Sequence, residues 1–104
     1  MPSPTFDLFR DAIRNRQQIV CTYQGIPREI CPHAVGWKRG VEHAMTFQFG
    51  GLTSQGWLPP NGDWRCMVLS QVRNATVRDG PWHTGTNHSR RQQCVDQIAA
   101  EIDY

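Results

Sequence analysis

The residues able to recognise or transform a ligand are few and spread along the chain. Arg65 follows Trp64 at the start of an alternating run. A guanidinium held there offers two parallel donors to a phosphate or carboxylate; the plainer reading is a surface arginine paired with Asp63 or a backbone carbonyl. Tyr23 and Arg28 flank a turn, where a phenol and a guanidinium can converge on a polar ligand; Tyr23 as a core ring with its hydroxyl at the rim is the alternative. In Cys31-Pro32-His33 a thiol stands two residues from an imidazole, on one face if the segment is a strand. A nucleophile and base need that contact plus an orienting acid and an oxyanion hole. Neither is visible, so His33 is read as a hydrogen-bonding pocket residue, and the chain as no enzyme, with no catalytic residue.

The stretch Gly50-Gly51-Leu52-Thr53-Ser54-Gln55-Gly56 can turn backbone N–H groups and two hydroxyls toward an anion. It lacks the lysine and following helix of a phosphate-binding loop and does not match G-x-G-x-x-G. Ser54 is its candidate ligand contact, and an ordinary hairpin loop is the alternative. Trp37, Trp57 and Trp82 serve either as core or as stacking platforms, with Trp57 in the polar loop best placed for exposure. The histidines His33, His43, His83 and His88 have no metal-ligand spacing, so neither a metal site nor a cofactor is expected.

Positioning these side chains falls to a short chain. Its 104 residues suit one domain with one core. Four Trp and four Phe give that core bulk despite a 38% apolar composition. The formal charge of +2 is too small to announce a nucleic-acid protein, yet Lys38 is the one lysine among eleven basic residues. That bias is either genomic or a supply of planar, bidentate donors. No run of about 18 apolar residues occurs and the N-terminus has no signal-like stretch, so no membrane and a cytoplasmic location are expected. Cys21, Cys31, Cys66 and Cys94 show no C-x-x-C spacing. In a reducing compartment they are read as buried thiols behaving as small hydrophobes.

Ser3-Pro4 offers an N-cap and a proline at the first helical position, and Phe6, Phe9, Ile13 and Arg16 fall on one stripe, predicting a helix over 4–16. Asp7 and Asp11 can pair with Arg10 and Arg14 on its outer face. The period then changes to two. Strands are predicted from Gln18 to Gln24, from Arg28 to Trp37 with a bulge or edge position at Pro32, from Glu42 to Phe49, from Trp64 to Leu69 and from Val72 to Val77. Gly50 to Asp63 reads as a loop long enough to carry function. Ser89-x-x-Gln92 is a capping box, while Ile98, Ala100, Ile102 and Tyr104 alternate as a strand; a short helical turn followed by an extended tail is the preferred reading of this segment. The organisation expected is one domain over 1–104: helix 4–16, barrel 18–77 and C-terminal extension 78–104. The fold class is mainly β, a small antiparallel barrel, because closure removes the edges of a short sheet.

Ala12-Ile13-x-x-Arg16, Ile19-x-x-x-Tyr23-x-Gly25, Arg28-x-x-x-Pro32 and Trp64-Arg65-x-Met67-x-Leu69-x-x-Val72 together resemble the WYL-domain family over residues 12 to 77. The resemblance implies an Sm-like or SH3-like barrel acting as a ligand-sensing module, mostly in bacterial regulators, some of whose members bind single-stranded nucleic acid. It also implies that Arg65 faces the ligand groove. The Trp-Tyr-Leu tripeptide is absent; Glu42-His43-Ala44-Met45-Thr46 stands near its place. A DNA-binding helix-turn-helix is missing too, with about 17 residues ahead of the first strand. The functional expectation is a regulatory module that binds a small anionic ligand or a short single-stranded nucleic acid through Arg65, Arg28, Tyr23, His33 and Ser54. The alternative is a protein-interaction or oligomerisation module joined through strand edges.

Overall fold

The structure, a computed structural model, describes residues 2–51, 62–83 and 94–102. Helix α1 spans Pro4–Asn15, with Pro4 in its first turn and the Ser3 hydroxyl accepting the Phe6 N–H at 3.1 Å. A serine cap and a proline whose missing donor is not needed there explain why the helix begins where it does. It buries Phe6, Phe9, Ala12 and Ile13. Arg16, expected on that buried stripe, instead terminates the helix in a left-handed conformation at φ 50° and is exposed. On the outer face Arg10 bridges Asp7 at 3.0 Å and Asp11 at 3.3 Å.

Six strands follow: β1 (Gln18–Tyr23), β2 (Ile26–Lys38), β3 (Val41–Gly51), β4 (Asp63–Val68), β5 (Val72–Arg78) and β6 (Gln97–Glu101). All pairs are antiparallel, in the order β4-β3-β2-β1-β5, and β6 joins β2. The turn between β1 and β2 holds Gln24 and Gly25 at φ 53° and 76°, and that between β2 and β3 holds Arg39 and Gly40 at 52° and 79°. Two successive left-handed residues match the twist of the flanking strands.

Strand β2 organises the sheet. One of its edges carries β3, and the other passes from β1, paired over 26–30, to β6, paired over 34–37. The hand-over falls at Pro32-His33, where the register against β3 shifts, as the proline led us to expect of a bulge. Gly36 lets β6 approach, since a Cβ there would overlap the Gln97 carbonyl and the Val95 side chain. The extended tail read from the C-terminal sequence is therefore strand β6. Its Ile102 is buried and donates its backbone N–H to the His33 carbonyl at 2.8 Å; the capping-box residues 89 and 92 lie outside the described residues.

A three-residue 3₁₀ turn, Leu69–Gln71, links β4 to β5, the two ends of the strand order. Among the described residues no ladder joins those ends, so the antiparallel sheet is open and the expected closure into a barrel is not present. The core lies between α1 and one face of the sheet, where Phe9, Ile19, Ile30, Val35, Ala44 and Met67 have no exposed surface. A second cluster, on the opposite face, packs Cys31, Phe47 and Trp64 beneath Trp82 and His83. Gln18 fastens this extension, donating to the Pro81 carbonyl at 2.6 Å and accepting from Arg78 Nε at 2.9 Å.

Cys66 and Cys94 form a disulfide across a Cα separation of 5.4 Å, within the normal range. This corrects the reading of four reduced thiols and removes the support it lent to a reducing compartment; Cys21 and Cys31 are free and buried. Among the described residues no helix is long and apolar enough to cross a membrane.

Candidate functional site

Residues directly opposite in an antiparallel pair share a face of the sheet. Cys21 stands opposite Arg28, Ile30 opposite Gln48, Gln48 opposite Asp63, and Thr46 opposite Arg65. Arg28, Gln48, Asp63 and Arg65 thus occupy one face of β2, β3 and β4, at the side of the core where the hydrophobic residues give out. Tyr23 ends β1 on the same face, and its hydroxyl accepts the Val68 N–H at 2.9 Å, tying β1 to the end of β4.

Arg28 is 5% exposed. Its guanidinium carbon sits 5.2 Å from the centroid of the Tyr23 ring, which supplies a cation–π contact. Nη1 donates to Gln48 Oε1 at 3.3 Å, and Gln48 Nε2 is engaged with the Gly50 carbonyl at 3.0 Å. Arg28 Nε is buried with no acceptor. Arg65 is partly exposed, with Nη1 3.4 Å from Asp63 Oδ2, the carboxylate that the plainer reading assigned to it. Its Nε is likewise buried and without an acceptor, while Thr46 Oγ1 donates to its backbone carbonyl at 3.1 Å.

The two arginines feel each other. Burial, and after it the neighbouring Arg65 charge, hold the Arg28 guanidinium below its ordinary pKa. Cys21 offers no relief, because burial pushes its thiol up to about 11 and it stays neutral. No carboxylate pairs with Arg28 among the described residues. The chain has nine acidic side chains, and segments 52–61 and 84–93 contain none of them. Of those nine, six are engaged elsewhere: Asp7 and Asp11 serve Arg10, Glu29 serves Arg78, Glu42 holds Ser3, Asp79 takes Gln17 and Asp63 takes Arg65; Asp103 lies outside the described residues. A buried cation without a counter-ion is expensive. The site is therefore set to receive negative charge.

His33 is not part of it. This histidine lies in the second cluster, on the face that strand alternation gives it with Cys31 and away from Arg28, with its ring 4.8 Å from Trp64 and 5.0 Å from Trp82 and its Nε2 3.2 Å from the His83 carbonyl oxygen. Cys31 lies in the same cluster, accepts the His83 N–H at 3.3 Å and has its thiol pushed up to about 11 by burial, which is the opposite of an activated nucleophile. Trp37, Trp64 and Trp82 are partly buried packing residues, Trp37 stacking on Phe6 at 4.9 Å between centroids. Ser54 and Trp57 fall outside the described residues. Of the five expected ligand contacts, Arg65, Arg28 and Tyr23 come together.

Gln48 belongs to the site but was not singled out by the sequence, whereas Asp63 entered it as the plainer partner of Arg65. Gln48 could have been found: Ala44, Thr46 and Gln48 alternate on one face of β3, and a polar residue at the end of an inward-facing row is a signal. Among the described residues, no three His, Cys, Asp or Glu side chains cluster so as to hold a metal. A cavity of about 310 Å³ between the end of α1 and β6, lined by Ile13, Arg14, Arg16 and Ala100, is remote from Arg28. No family model, curated protein or solved structure shows significant similarity to the chain.

Proposed function

We propose that this chain is a non-enzymatic ligand-sensing or regulatory module of the Sm-like or SH3-like kind, related to WYL domains, and that it binds a small anionic ligand or a short single strand of nucleic acid at Arg28 and Arg65. The observation that carries the reading is the buried Arg28 guanidinium, which has no carboxylate partner among the described residues and keeps an unused donor beside a second arginine. The strand order and the 3₁₀ turn between β4 and β5 support the barrel-like comparison. A fixed guanidinium fork binds by geometry as well as charge. Arg65→Lys should therefore weaken binding almost as much as Arg65→Ala, by roughly 10- to 150-fold for a charge-assisted bond of about 1.5 to 3 kcal/mol. A thermal-shift screen of nucleotides, organic acids and short oligonucleotides against wild type, Arg28→Ala and Arg65→Ala tests it; hits that survive in both variants refute it.

A second reading, an interaction or oligomerisation module, is favoured by the outer strands, where Val77 on β5 and Ile98 on β6 are 43% and 47% exposed. Strand edges of this kind can pair with another chain. A molecular mass that rises with concentration and ignores added anions would replace the first reading with this one.

A further inference from the structure

Building on the anion-site reading, we infer that the Arg28–Arg65 site is specific for a terminal carboxylate, carried either by a small organic acid or by the C-terminus of a peptide. The charges on this face of the sheet decide the valence of the ligand. Arg28 and Arg65 contribute two positive charges and Asp63, 3.4 Å from Arg65, removes one. Cys21, opposite Arg28 on β1, is a neutral thiol, and the Gln48 amide that accepts from Arg28 carries no charge. One positive charge is left, so a monoanion neutralises the site, whereas a phosphomonoester, with a charge of about −1.5 to −2 at neutral pH, would leave its excess facing Asp63.

Burial decides the shape. With Arg28 5% exposed, a group that reaches its Nε has to enter end-on. A phosphodiester is also a monoanion, but it carries a substituent on both sides of the phosphorus and would have to pass both strands of its chain through the site. A carboxylate ends its molecule, is planar and presents two oxygens. These match the two buried, acceptorless donors, Arg28 Nε and Arg65 Nε, without displacing the bond from Arg28 Nη1 to Gln48. The Tyr23 ring beneath Arg28 fixes the guanidinium plane, so the donor direction exists before the ligand arrives.

The test uses the full chain labelled with ¹⁵N and follows the arginine Nε–Hε signals during titration with butyrate, butyramide, inorganic phosphate, a dithymidine phosphodiester lacking terminal phosphates, and one tripeptide in acid and amide forms. The expected result is saturable shifts of the Arg28 and Arg65 signals with butyrate, none with butyramide, and at least 10-fold weaker binding of phosphate and of the diester. Arg28→Gln and, independently, Arg65→Gln should each lower butyrate affinity by at least 10-fold, so that poor folding of one variant leaves the other to decide. A tripeptide acid that binds at least 10-fold more tightly than butyrate, with an inert amide, identifies a peptide C-terminus as the source; an acid no tighter than butyrate identifies a small organic acid. Phosphate or diester binding as tight as butyrate overturns the carboxylate assignment and leaves the anion site standing. If no anion moves either Nε signal, both fall together.

Discussion

If Arg28 is a buried cation held without a counter-ion, then removing its charge should not weaken the fold. The informative variant is Arg28→Met, which keeps an unbranched side chain of similar reach. Against it stand the interactions it deletes: the cation–π contact with Tyr23, about 0.5 to 2 kcal/mol, and the 3.3 Å bond to Gln48, about 1.5 to 3 kcal/mol for a charged donor. In its favour stands relief of the desolvation of a charged side chain on a residue that is 5% exposed, up to several kcal/mol per ion after relaxation, together with relief of repulsion from Arg65. These terms are of similar size, so the unfolding free energy should stay within about 1 kcal/mol of wild type or rise. An arginine in a buried ion pair behaves differently, since removing one partner costs about 3 to 5 kcal/mol. Urea unfolding in a buffer without carboxylates or phosphate, with the slope checked for constancy, measures the difference. A loss of 3 kcal/mol or more would mean that a counter-ion is present and would refute the anion-site argument at its root.

Phe9 has no exposed surface, so Phe9→Ala should cost about 3 to 5 kcal/mol in the same assay; a loss below about 1 would remove α1 from the core. The disulfide joins residues 28 apart and should contribute about 3 to 4 kcal/mol through the unfolded chain. A thiol count of two in the unfolded, unreduced protein and four after reduction checks the pairing, and four before reduction contradicts it. Cys21 and Cys31 have folded pKa values raised from 9.0 to about 11. The unfolded chain then releases protons first, so their contribution is complete below pH 9 and is lost between pH 9 and 11, by about 1.4 kcal/mol per pH unit for each thiol. Unfolding curves at pH 8, 10 and 11 with the disulfide intact should show that decline, and removing both thiols by Cys21→Ala and Cys31→Ala should flatten it. Gly36→Ala should displace β6, read as faster amide exchange of Ile98 and Ala100 with α1 still protected; unchanged exchange would contradict the close approach.

What the sequence made legible, and what it hid, divides by the range of the interaction. Helix α1 was written in local chemistry: a serine cap, a proline in the first turn and the apolar Phe6, Phe9 and Ile13 on one stripe, which Ala12 joins and Arg16 leaves. Strands β1 to β5 followed from alternation, and the bulge at Pro32 from a missing donor. The same local rules brought Tyr23 and Arg28 together, because the left-handed Gln24-Gly25 turn makes them near neighbours across β1 and β2. They failed wherever β2 does two jobs at once. Residues 26–30 and 34–37 share a strand but face different partners on the same edge, and nothing local to Cys31-Pro32-His33 says where β1 gives way to β6, although alternation already put His33 with Cys31 on the face away from Arg28. The extended tail over 97–101 was legible, but its partner was not, for the same reason. Its helical and strand periodicities were equally good, and the choice was made by Gly36, some sixty residues away, whose missing side chain admits β6, and by Cys66, which holds Cys94 in place before it. The aromatic cluster under the extension and the polar end of the core thus lie on opposite faces of one strand, and that separation keeps the imidazole from becoming a third cation beside Arg28 and Arg65. With His33 there, protonation would have made the charge of the site depend on pH near neutrality. With His33 on the other face, two guanidiniums and one carboxylate set that charge.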